Sequence, residues 1–189
     1  LAHLNGSLLE DPRVEVLLRD VWAVIVEAQP AQYDALVLDI DNGPTAMVQR
    51  QNSRLYSFKG LQRIASVLKP GGRACIQSIT IDDALFERYI HSTDFIQQYI
   101  FPGGCLPSPA RFKQAAQEAG LVVEDSFSFG HDYAKTLRLW RHDFLARRDQ
   151  VLAQGFDERF IRTWEFYLAY CEAGFRSGNI DVRQIIYSK

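Results

Sequence analysis

The spacing of apolar residues along the chain predicts alternating strands and helices. Residues 33–40 (YDALVLDI) form a near-continuous apolar run, which is typical of a strand buried on both faces of a parallel sheet. Residues 57–68 carry apolar side chains at helical spacing, and the Lys-Pro-Gly-Gly that follows ends this helix before a strand over residues 73–80. A strand, a helix and a second strand in this order predict an α/β doubly wound sheet.

The same pattern predicts further elements on both sides of this unit. Before it, residues 13–18 (RVEVLL) predict a strand and residues 22–28 a short helix. After it, Ser108 and Pro109 are typical of a helix start, and Gly120 is typical of a helix end. The remaining predictions are a strand over residues 121–129, helices over 131–154 and 156–177, and a strand over 180–187. The two long helices then form a helical insertion before the last strand of a single domain, residues 1–189.

Residues 94–108 (DFIQQYIFPGGCLPS) lead from an apolar helical run into a stiff turn. Pro102 fixes its own φ, and Gly103 and Gly104 can adopt backbone conformations that are closed to other residues. The pattern alone favours a well-packed crossover loop.

Composition excludes several classes of function. The 189 residues suit one domain, and the net charge of −2 gives no indication of a nucleic-acid-binding protein. Three cysteines without a CxxC pair favour a reducing, cytosolic setting. The four histidines are scattered, so no metal site is expected. No apolar run is long enough to span a bilayer.

Four segments, in order, resemble the cyclopropane-fatty-acyl-phospholipid synthase family. They are RACIQSITIDD, RYIHSTDFIQQYIFPGGCLPS, FGHDYAKTLRLWRHDF and GFDERFIRTWEFYLAYCEAGFRSGNIDVRQ, so the resemblance covers about residues 68–189. It implies a Rossmann-like S-adenosylmethionine-dependent methyltransferase sheet. It also implies methylene or methyl transfer to the double bond of an unsaturated phospholipid acyl chain.

The N-terminal part resembles spermidine-synthase-like proteins instead. The segments that carry this resemblance are DPRVEVLLRDVWAVI, YDALVLDIDNGP and NSRLYSFKGLQRIASVLKPGG. These proteins use the same sheet and bind S-adenosylmethionine or its decarboxylated form in the same place. Residues 1–72 are then a partial cofactor-binding half, and residues 73–189 a lipid-substrate half. The change near residues 68–72 indicates a fragment or a chimera, whether a natural recombinant, an artefact of assembly or an engineered fusion.

The cofactor-binding half is expected to be incomplete at its N-terminus. Asn5-Gly6-Ser7 is not the glycine-rich loop of these families, and the first two strands of their sheet have no counterpart. In the usual strand order of 3-2-1-4-5-7-6, this leaves open edges or pairs the strands at residues 13–18 and 33–40 directly. We therefore expect weak binding of S-adenosylmethionine, or none.

The resemblance implies cofactor-binding residues at two predicted strand ends. Asp20 would accept a hydrogen bond from the adenine amino group, with Val21 and Trp22 packing nearby; the alternative for Asp20 is a helix N-cap. Asp39 and Asp41 match acidic positions that orient and deprotonate an amine in aminopropyltransferases. The alternative for both is a structural role in a turn, because Asp-Asn-Gly-Pro is a strong turn sequence.

Three further residues match catalytic positions of the cyclopropane synthases. Gln77, Ile79 and Tyr133 stand where that family helps to hold a bicarbonate ion, although the family often has histidine in place of Gln77. The implied mechanism is attack of the alkene on the sulfonium methyl, followed by proton removal from the carbocation by bicarbonate. The alternative for Tyr133 is a core tyrosine on an amphipathic helix.

The resemblance also changes the interpretation of residues 94–108. This segment becomes a hinge in which Tyr99 and Phe101 point toward the substrate pocket and Gly103 and Gly104 let the chain turn past it. The implied partner is an unsaturated phospholipid at a membrane surface, for a cytoplasmic protein peripheral to the inner face of the membrane. A homodimer is a further expectation.

Two questions stay open from sequence. The helical insertion carries Arg138, Arg141, Arg147, Arg148, Arg159 and Arg162, which form either a solvated face with nearby acids or a surface for anionic headgroups. The function is either the lipid alkylation above, a spermidine-synthase-like aminopropyl transfer, or that of a non-catalytic binding or dimerisation remnant.

Overall fold

Four strands form one mixed sheet in the order β1-β2-β4-β3 in the computed structural model, which describes Gly6, residues 8–39, Leu55 and residues 57–189. The strands are β1 (Tyr33–Asp39), β2 (Leu68–Ile81), β3 (Val122–Ser128) and β4 (Ile180–Ser188). The helices are α1 (Val21–Glu27), α2 (Phe58–Val67), α3 (Asp83–Ile90), α4 (Pro109–Glu118), α5 (Gly130–Ala146), α6 (Arg148–Ala153) and α7 (Glu158–Arg176). A 3-10 turn covers Leu8–Glu10, and a π-helix covers Ile96–Ile100.

Strand directions follow from the connections. β1 and β2 are parallel because α2 crosses between them, whereas β4 is antiparallel to both β2 and β3. This arrangement corresponds to the last four strands of the order 3-2-1-4-5-7-6. The carboxyl ends of β1 and β2 therefore meet at one edge of the sheet, where ligands of such sheets bind.

Each face of the sheet carries its own hydrophobic cluster. On one face, Ala74, Ile76, Ile185 and Tyr187 are buried under α1, α2 and α4. On the other face, Val182 and partly buried Ile79 pack against α5 and α7. The alternation of side chains along β2 and β4 produces this division, because residues of opposite parity point to opposite faces.

The prediction of a strand over residues 13–18 is wrong. Arg13 lies in a turn, residues 14–18 form no regular structure and pair with no described strand, and Leu18 is 97% exposed. A strand needs a neighbour for its backbone hydrogen bonds, and here the alternating pattern has none to pair with.

The expectation that β1 is buried on both faces is also wrong. β1 pairs only with β2 among the described strands, so it forms an edge, and Val37 is 78% exposed while Leu38 is buried. Of the two expected arrangements, the open edge is the one observed. Asp41 and the rest of residues 40–54 lie outside the described residues.

Most predicted helices are confirmed, with two differences. The helix expected over residues 131–154 is interrupted at Arg147 and becomes α5 and α6. The helix α3 was not expected. Asp82 is its N-cap and accepts a hydrogen bond from the Ala84 amide (2.9 Å).

One arginine joins the first two helices. Arg63 on α2 donates from its guanidinium group to the carbonyl oxygens of Ile25, Val26 and Ala28 at the end of α1. The last carbonyls of a helix have no partner within the helix, and a cation there also interacts favourably with the helix dipole. Arg63 thus fixes α1, which Asp20 caps, against α2.

Candidate functional site

Ile79 and Tyr133 come together in the cluster between the sheet, α5 and α7. Both are partly buried against Leu137, Leu168 and Val182. The Tyr133 ring meets the Phe175 ring edge to face, with centroids 5.0 Å apart. Two of the three residues that the sequence places in catalysis therefore line one apolar, aromatic environment.

The start of α5, and with it Tyr133, is held by Asp181 of β4. The Asp181 Oδ1 atom accepts a hydrogen bond from the Gly130 amide (2.9 Å), and its Oδ2 atom accepts one from the Ser128 hydroxyl. Arg183 forms an ion pair with the same carboxylate (3.3 Å). A carboxylate at a helix N-terminus is stabilising because it satisfies a free amide and complements the helix dipole.

Gly130 is required for this close approach. A methyl group at Gly130 would lie 2.6 Å from the Asp181 Oδ1 atom and 3.2 Å from a ring carbon of Phe175. Asp181 and Gly130 were both missed from sequence. The glycine at a strand-to-helix junction was the only signal, since Asp181 lies 51 residues away from it.

Gln77 lies in a row of polar side chains that crosses the sheet. Its Nε2 atom donates to Asp39 Oδ1 on β1 (2.8 Å), and its Oε1 atom accepts from Gln184 Nε2 on β4 (2.8 Å). Gln77 and Ile79 are two residues apart on β2 and so share a face of the sheet. The row fixes the orientation of the Gln77 amide, and Gln184 was not expected from sequence.

The described residues do not form a ready site for bicarbonate. Gln77 directs its amide nitrogen at the carboxylate of Asp39, so an anion bound beside Gln77 would also lie near a negative charge. The bound anion and the Asp39 carboxylate would repel each other because both carry negative charge. We therefore assign no chemical step to bicarbonate.

The residues expected to bind the cofactor begin α1. Asp20 accepts a hydrogen bond from the Ala23 amide (2.9 Å), so the N-cap that was the alternative interpretation is present. No strand precedes it in the described part of the chain. Val21 and Trp22 pack, partly buried, against the cluster under α1, α2 and α4. Their role in binding the adenosine end of S-adenosylmethionine stays a prediction.

The turn after the π-helix separates the residues expected to contact substrate. Gly103 has a φ of +80°, and the Gly104 amide donates to the Phe101 carbonyl oxygen (2.9 Å), so the expected tight turn is confirmed. Phe101 faces inward and meets the Tyr167 ring with centroids 6.3 Å apart. Tyr99 is 60% exposed, and its direction toward a substrate pocket stays a prediction.

A hydrogen bond to the hydroxyl of Tyr89 holds the chain that follows the turn. The hydroxyl of Tyr89 on α3 accepts a hydrogen bond from the Leu106 amide (3.1 Å). Burial raises the pKa of Tyr89 to about 12, so this hydroxyl stays protonated at neutral pH. The contact fixes the chain between the turn and α4.

The arginines of the helical insertion divide into two groups. Arg141 pairs with the buried Glu172 (3.3 Å), Arg147 pairs with Asp143 (3.8 Å), and Arg148 pairs with Glu158. The other three form no ion pair within the described residues; they are Arg138, Arg159 and Arg162. Pairing with nearby acids therefore accounts for half of this set.

Two features are absent from the part of the chain that the structure describes. No helix there combines the length and the apolar character needed to cross a membrane. Within the same ranges, no three or more His, Cys, Asp and Glu side chains come together as a metal site would require.

Comparison with protein families gives one match that covers most of the chain. Residues 25–185 match the family described as mycolic acid cyclopropane synthetase. The match includes β1 and α2, which resemble spermidine-synthase-like proteins on sequence alone.

Curated relatives agree with this match. The tuberculostearic acid methyltransferase UfaA1 of Mycobacterium tuberculosis is 42% identical over 91% of this chain, which spans 38% of that protein. The cyclopropane-fatty-acyl-phospholipid synthase of Escherichia coli is 40% identical over 50% of this chain and 24% of its own length. The chain thus spans well under half of the curated relatives it matches.

Solved structures confirm the predicted Rossmann-like methyltransferase fold. The cyclopropane synthase MmaA2 from Mycobacterium tuberculosis superposes with a TM-score of 0.74 at 24% identity, covering 100% of this chain and 66% of that one. The mycolic acid cyclopropane synthase CmaA1, complexed with SAH and CTAB, gives a TM-score of 0.73 at 26% identity, covering 99% and 65%.

Proposed function

The chain belongs to the mycolic acid cyclopropane synthetase family, and from this premise we propose that it transfers a methylene or methyl group from S-adenosylmethionine to the double bond of an unsaturated phospholipid acyl chain. The observation that carries the proposal is the shared cluster of Ile79 and Tyr133, with Phe101 joined to it through Tyr167. Two relatives are named for lipid chemistry, and these names support the proposal: a cyclopropane-fatty-acyl-phospholipid synthase and a probable fatty acid methyltransferase.

The cluster suits a reaction that passes through a carbocation. An alkene is a weak nucleophile, so catalysis depends on positioning the double bond and excluding water. The faces of Tyr133 and Phe101 supply negative electrostatic potential without a nucleophile that would capture the cation. Ile79 supplies apolar bulk beside them.

The cofactor would supply the electrophilic methyl group. A carboxylate oxygen of Asp20 would accept a hydrogen bond from the adenine amino group, and Val21 and Trp22 would flank the adenine ring. Asp39, at the end of β1, would lie close to the bound cofactor. The SAH found in complex with CmaA1 supports this choice of cofactor. A bicarbonate ion, implied by the family resemblance, stays a prediction without a residue geometry in its favour.

The proposed partner and location follow from the substrate. An unsaturated phospholipid is held in a bilayer, so the protein would work at a membrane surface, from the cytoplasmic side and without spanning it. A homodimer is retained as part of the proposal. Free fatty acids are the competing substrate class, because one relative is a probable fatty acid methyltransferase of Pseudomonas putida.

An assay with millimolar S-adenosylmethionine tests the proposal. The chain is incubated with vesicles of a monounsaturated phospholipid and, in parallel, with the free monounsaturated acid, and acyl chains are analysed by mass spectrometry. A mass gain of one methylene group on the phospholipid is expected. A gain on the free acid alone would overturn the choice of substrate, and no gain on either would overturn the activity.

A pair of conservative variants then separates catalysis from folding. Tyr133→Phe should lower turnover at least tenfold if its hydroxyl takes part in the reaction. Tyr187→Phe is the matched control, because Tyr187 lies under the opposite face of the sheet and should keep full activity. Equal turnover in the two variants would remove the Tyr133 hydroxyl from the mechanism.

The non-catalytic remnant is the second candidate. It is favoured by the absence of a glycine-rich loop among the described residues. The same assay decides, since a remnant gives no methylene gain on either substrate at any cofactor concentration.

A further inference from the structure

Four aromatic rings form a surface patch between the π-helix and α7. We call Phe95, Tyr99, Phe166 and Tyr170 the aromatic patch. Phe95 lies at its centre, with ring centroids 4.6 Å from Phe166, 5.4 Å from Tyr99 and 6.1 Å from Tyr170. The outer three rings are exposed, Tyr99 by 60% and Phe166 by 51%. Large aromatic side chains that are clustered and exposed indicate an interaction surface.

Hydrogen bonds at the edge of the aromatic patch hold its rings in position. The Tyr170 hydroxyl bonds the Asp94 carboxylate (3.3 Å), and Asp94 also accepts from the Gln97 amide (2.8 Å) at the start of the π-helix. Asp94 therefore joins the residues that precede the π-helix to α7, next to Phe95. The rings are held in place and are not a loose loop end.

Two cations without ion pairs continue the same face of α7. Arg162 precedes Phe166 by four residues and Arg159 precedes it by seven, so all three lie along one side of the helix. Both arginines are exposed and form no ion pair within the described residues. This side of α7 thus presents cations and aromatic rings together.

The patch is joined to the candidate site through the body of α7. Phe166 faces out, while its neighbour Tyr167 faces in and contacts both Phe101 and the cluster that contains Tyr133. Tyr99 and Phe101 lie at the two ends of one short segment. A molecule bound at the patch would therefore lie across α7 from the cluster.

We propose that the aromatic patch, with Arg159 and Arg162, docks this protein on an anionic lipid bilayer. Tyrosine and phenylalanine suit the boundary between headgroups and acyl chains, where one end of a side chain is apolar and the other wet. Unpaired arginines beside them complement anionic headgroups. The proposal deepens the proposed function, on which it rests, by naming the face that meets the lipid.

Vesicle co-sedimentation tests the docking without any turnover. The vesicles consist of fully saturated phosphatidylglycerol or fully saturated phosphatidylcholine, which contain no double bond to alkylate. The chain should sediment with phosphatidylglycerol at least tenfold more strongly than with phosphatidylcholine. The variant Arg159→Gln with Arg162→Gln should remove about tenfold of this preference, and Phe166→Ser should weaken binding to both vesicles about tenfold.

Matched controls come from the rest of the surface. Arg138→Gln removes a third arginine without an ion pair, on α5, and Phe127→Ser removes a ring that is 62% exposed on β3. Both should leave sedimentation unchanged. Equal loss in the control and patch variants would overturn the proposal. So would a patch variant that leaves sedimentation unchanged but converts a dimer to a monomer in light scattering, since the patch would then join two copies.

Activity on lipid dispersed in detergent separates the two proposals. If the patch serves docking alone, the patch variants turn over detergent-dispersed substrate at the unaltered rate and lose turnover only on vesicles. If the wild-type chain sediments as expected but turns over neither form, the proposed function fails while the docking surface stands.

Discussion

Gly130 and Asp181 approach so closely that a methyl group on the glycine would lie 2.6 Å from the carboxylate oxygen. Gly130→Ala should therefore push the start of α5 away from β4. We expect the free energy of unfolding to fall by about 1–3 kcal/mol, as for other overpacked sites. Thermal and urea denaturation measure the loss, and Lys135→Ala on the exposed side of α5 serves as the control.

A double-mutant cycle tests the contact itself. Asp181→Ala alone should destabilise, because α5 loses its N-cap and Arg183 loses its partner. In the double variant the alanine side chain at residue 130 no longer meets the carboxylate, so the combined loss should be smaller than the sum of the single losses. Simple additivity would show that the two residues do not clash.

Arg63 provides a second test of stability. Arg63→Ala leaves three carbonyl oxygens at the end of α1 without their donor, and we expect a loss of about 2–3 kcal/mol. Arg63→Lys should recover only part of it, because an ammonium group cannot span three acceptors as the guanidinium fork does. Lys59→Ala on the same helix is the control. Full recovery with lysine would mean that charge at the helix end, and not the hydrogen bonds, is what matters.

Tyr187 carries a buried hydroxyl that finds no partner among the described residues, while its ring meets Phe112 edge to face with centroids 6.0 Å apart. Burial also raises the pKa of this phenol. Tyr187→Phe keeps the ring and removes the unsatisfied group, so stability should stay equal or rise by up to about 1–3 kcal/mol. Tyr187→Leu, which loses the ring contact, should destabilise. A clear loss of stability in Tyr187→Phe would show that the hydroxyl has a partner.

Cys171 should resist alkylation in the folded chain. Burial, with a smaller effect from Asp94, raises the pKa of this thiol from 9.0 to about 12. At pH 8 only about one molecule in 10⁴ would carry the reactive thiolate. Iodoacetamide labelling followed by mass spectrometry should modify Cys171 far more slowly in the native chain than in urea, and equal rates would contradict the prediction.

The same shift has a consequence for stability in alkali. A group whose pKa is raised on folding stabilises the fold below its unfolded pKa and loses that contribution as the pH rises through its folded pKa. For Cys171 this window runs from about pH 9 to about pH 12. The melting temperature of Cys171→Ala should therefore fall less steeply across this range than that of the wild type.

Binding of S-adenosylmethionine should be weak. The proposed contacts of the adenosine end are Asp20, Val21 and Trp22, and the described residues include no glycine-rich loop for the methionine end. Isothermal titration calorimetry should give no low-micromolar affinity, and finding one would contradict the prediction. Asp20→Asn isolates the adenine contact, because asparagine also caps a helix well while it removes the charge.

Sequence predicted the elements that have strong local signals. The helix that begins at Pro109 was predicted from its N-terminal proline and its terminal glycine, and β2 and β4 were predicted from their apolar patterns. The strand over residues 13–18 was predicted from equally good alternation and does not form. Alternation reports a preference for extended backbone, whereas a strand also requires a partner that the local pattern cannot reveal.

Only part of the candidate site was predicted, because the local pattern does not show which distant residues will meet. Gln77, Ile79 and Tyr133 were found through family motifs, and the structure brings Ile79 and Tyr133 into one cluster. Gln184, Asp181 and Gly130 were missed because their roles depend on pairing between strands that are far apart in the chain. The π-helix that carries Tyr99 was also missed, because its bonding differs from that of an α-helix by one residue and leaves no clear pattern in the sequence.

The central place of β4 fixes the order in which this fold can be made during synthesis. β1 and β2 can pair early, but among the described strands β3 pairs with β4 alone, and the bonded residues Ser128 and Asp181 are 53 positions apart in sequence. Until β4 leaves the ribosome, β3 has no hydrogen-bonding neighbour and α5 lacks the carboxylate that caps it. A nascent chain stalled within α7 would thus expose β3, with Phe127 on its surface, to chaperones or to aggregation.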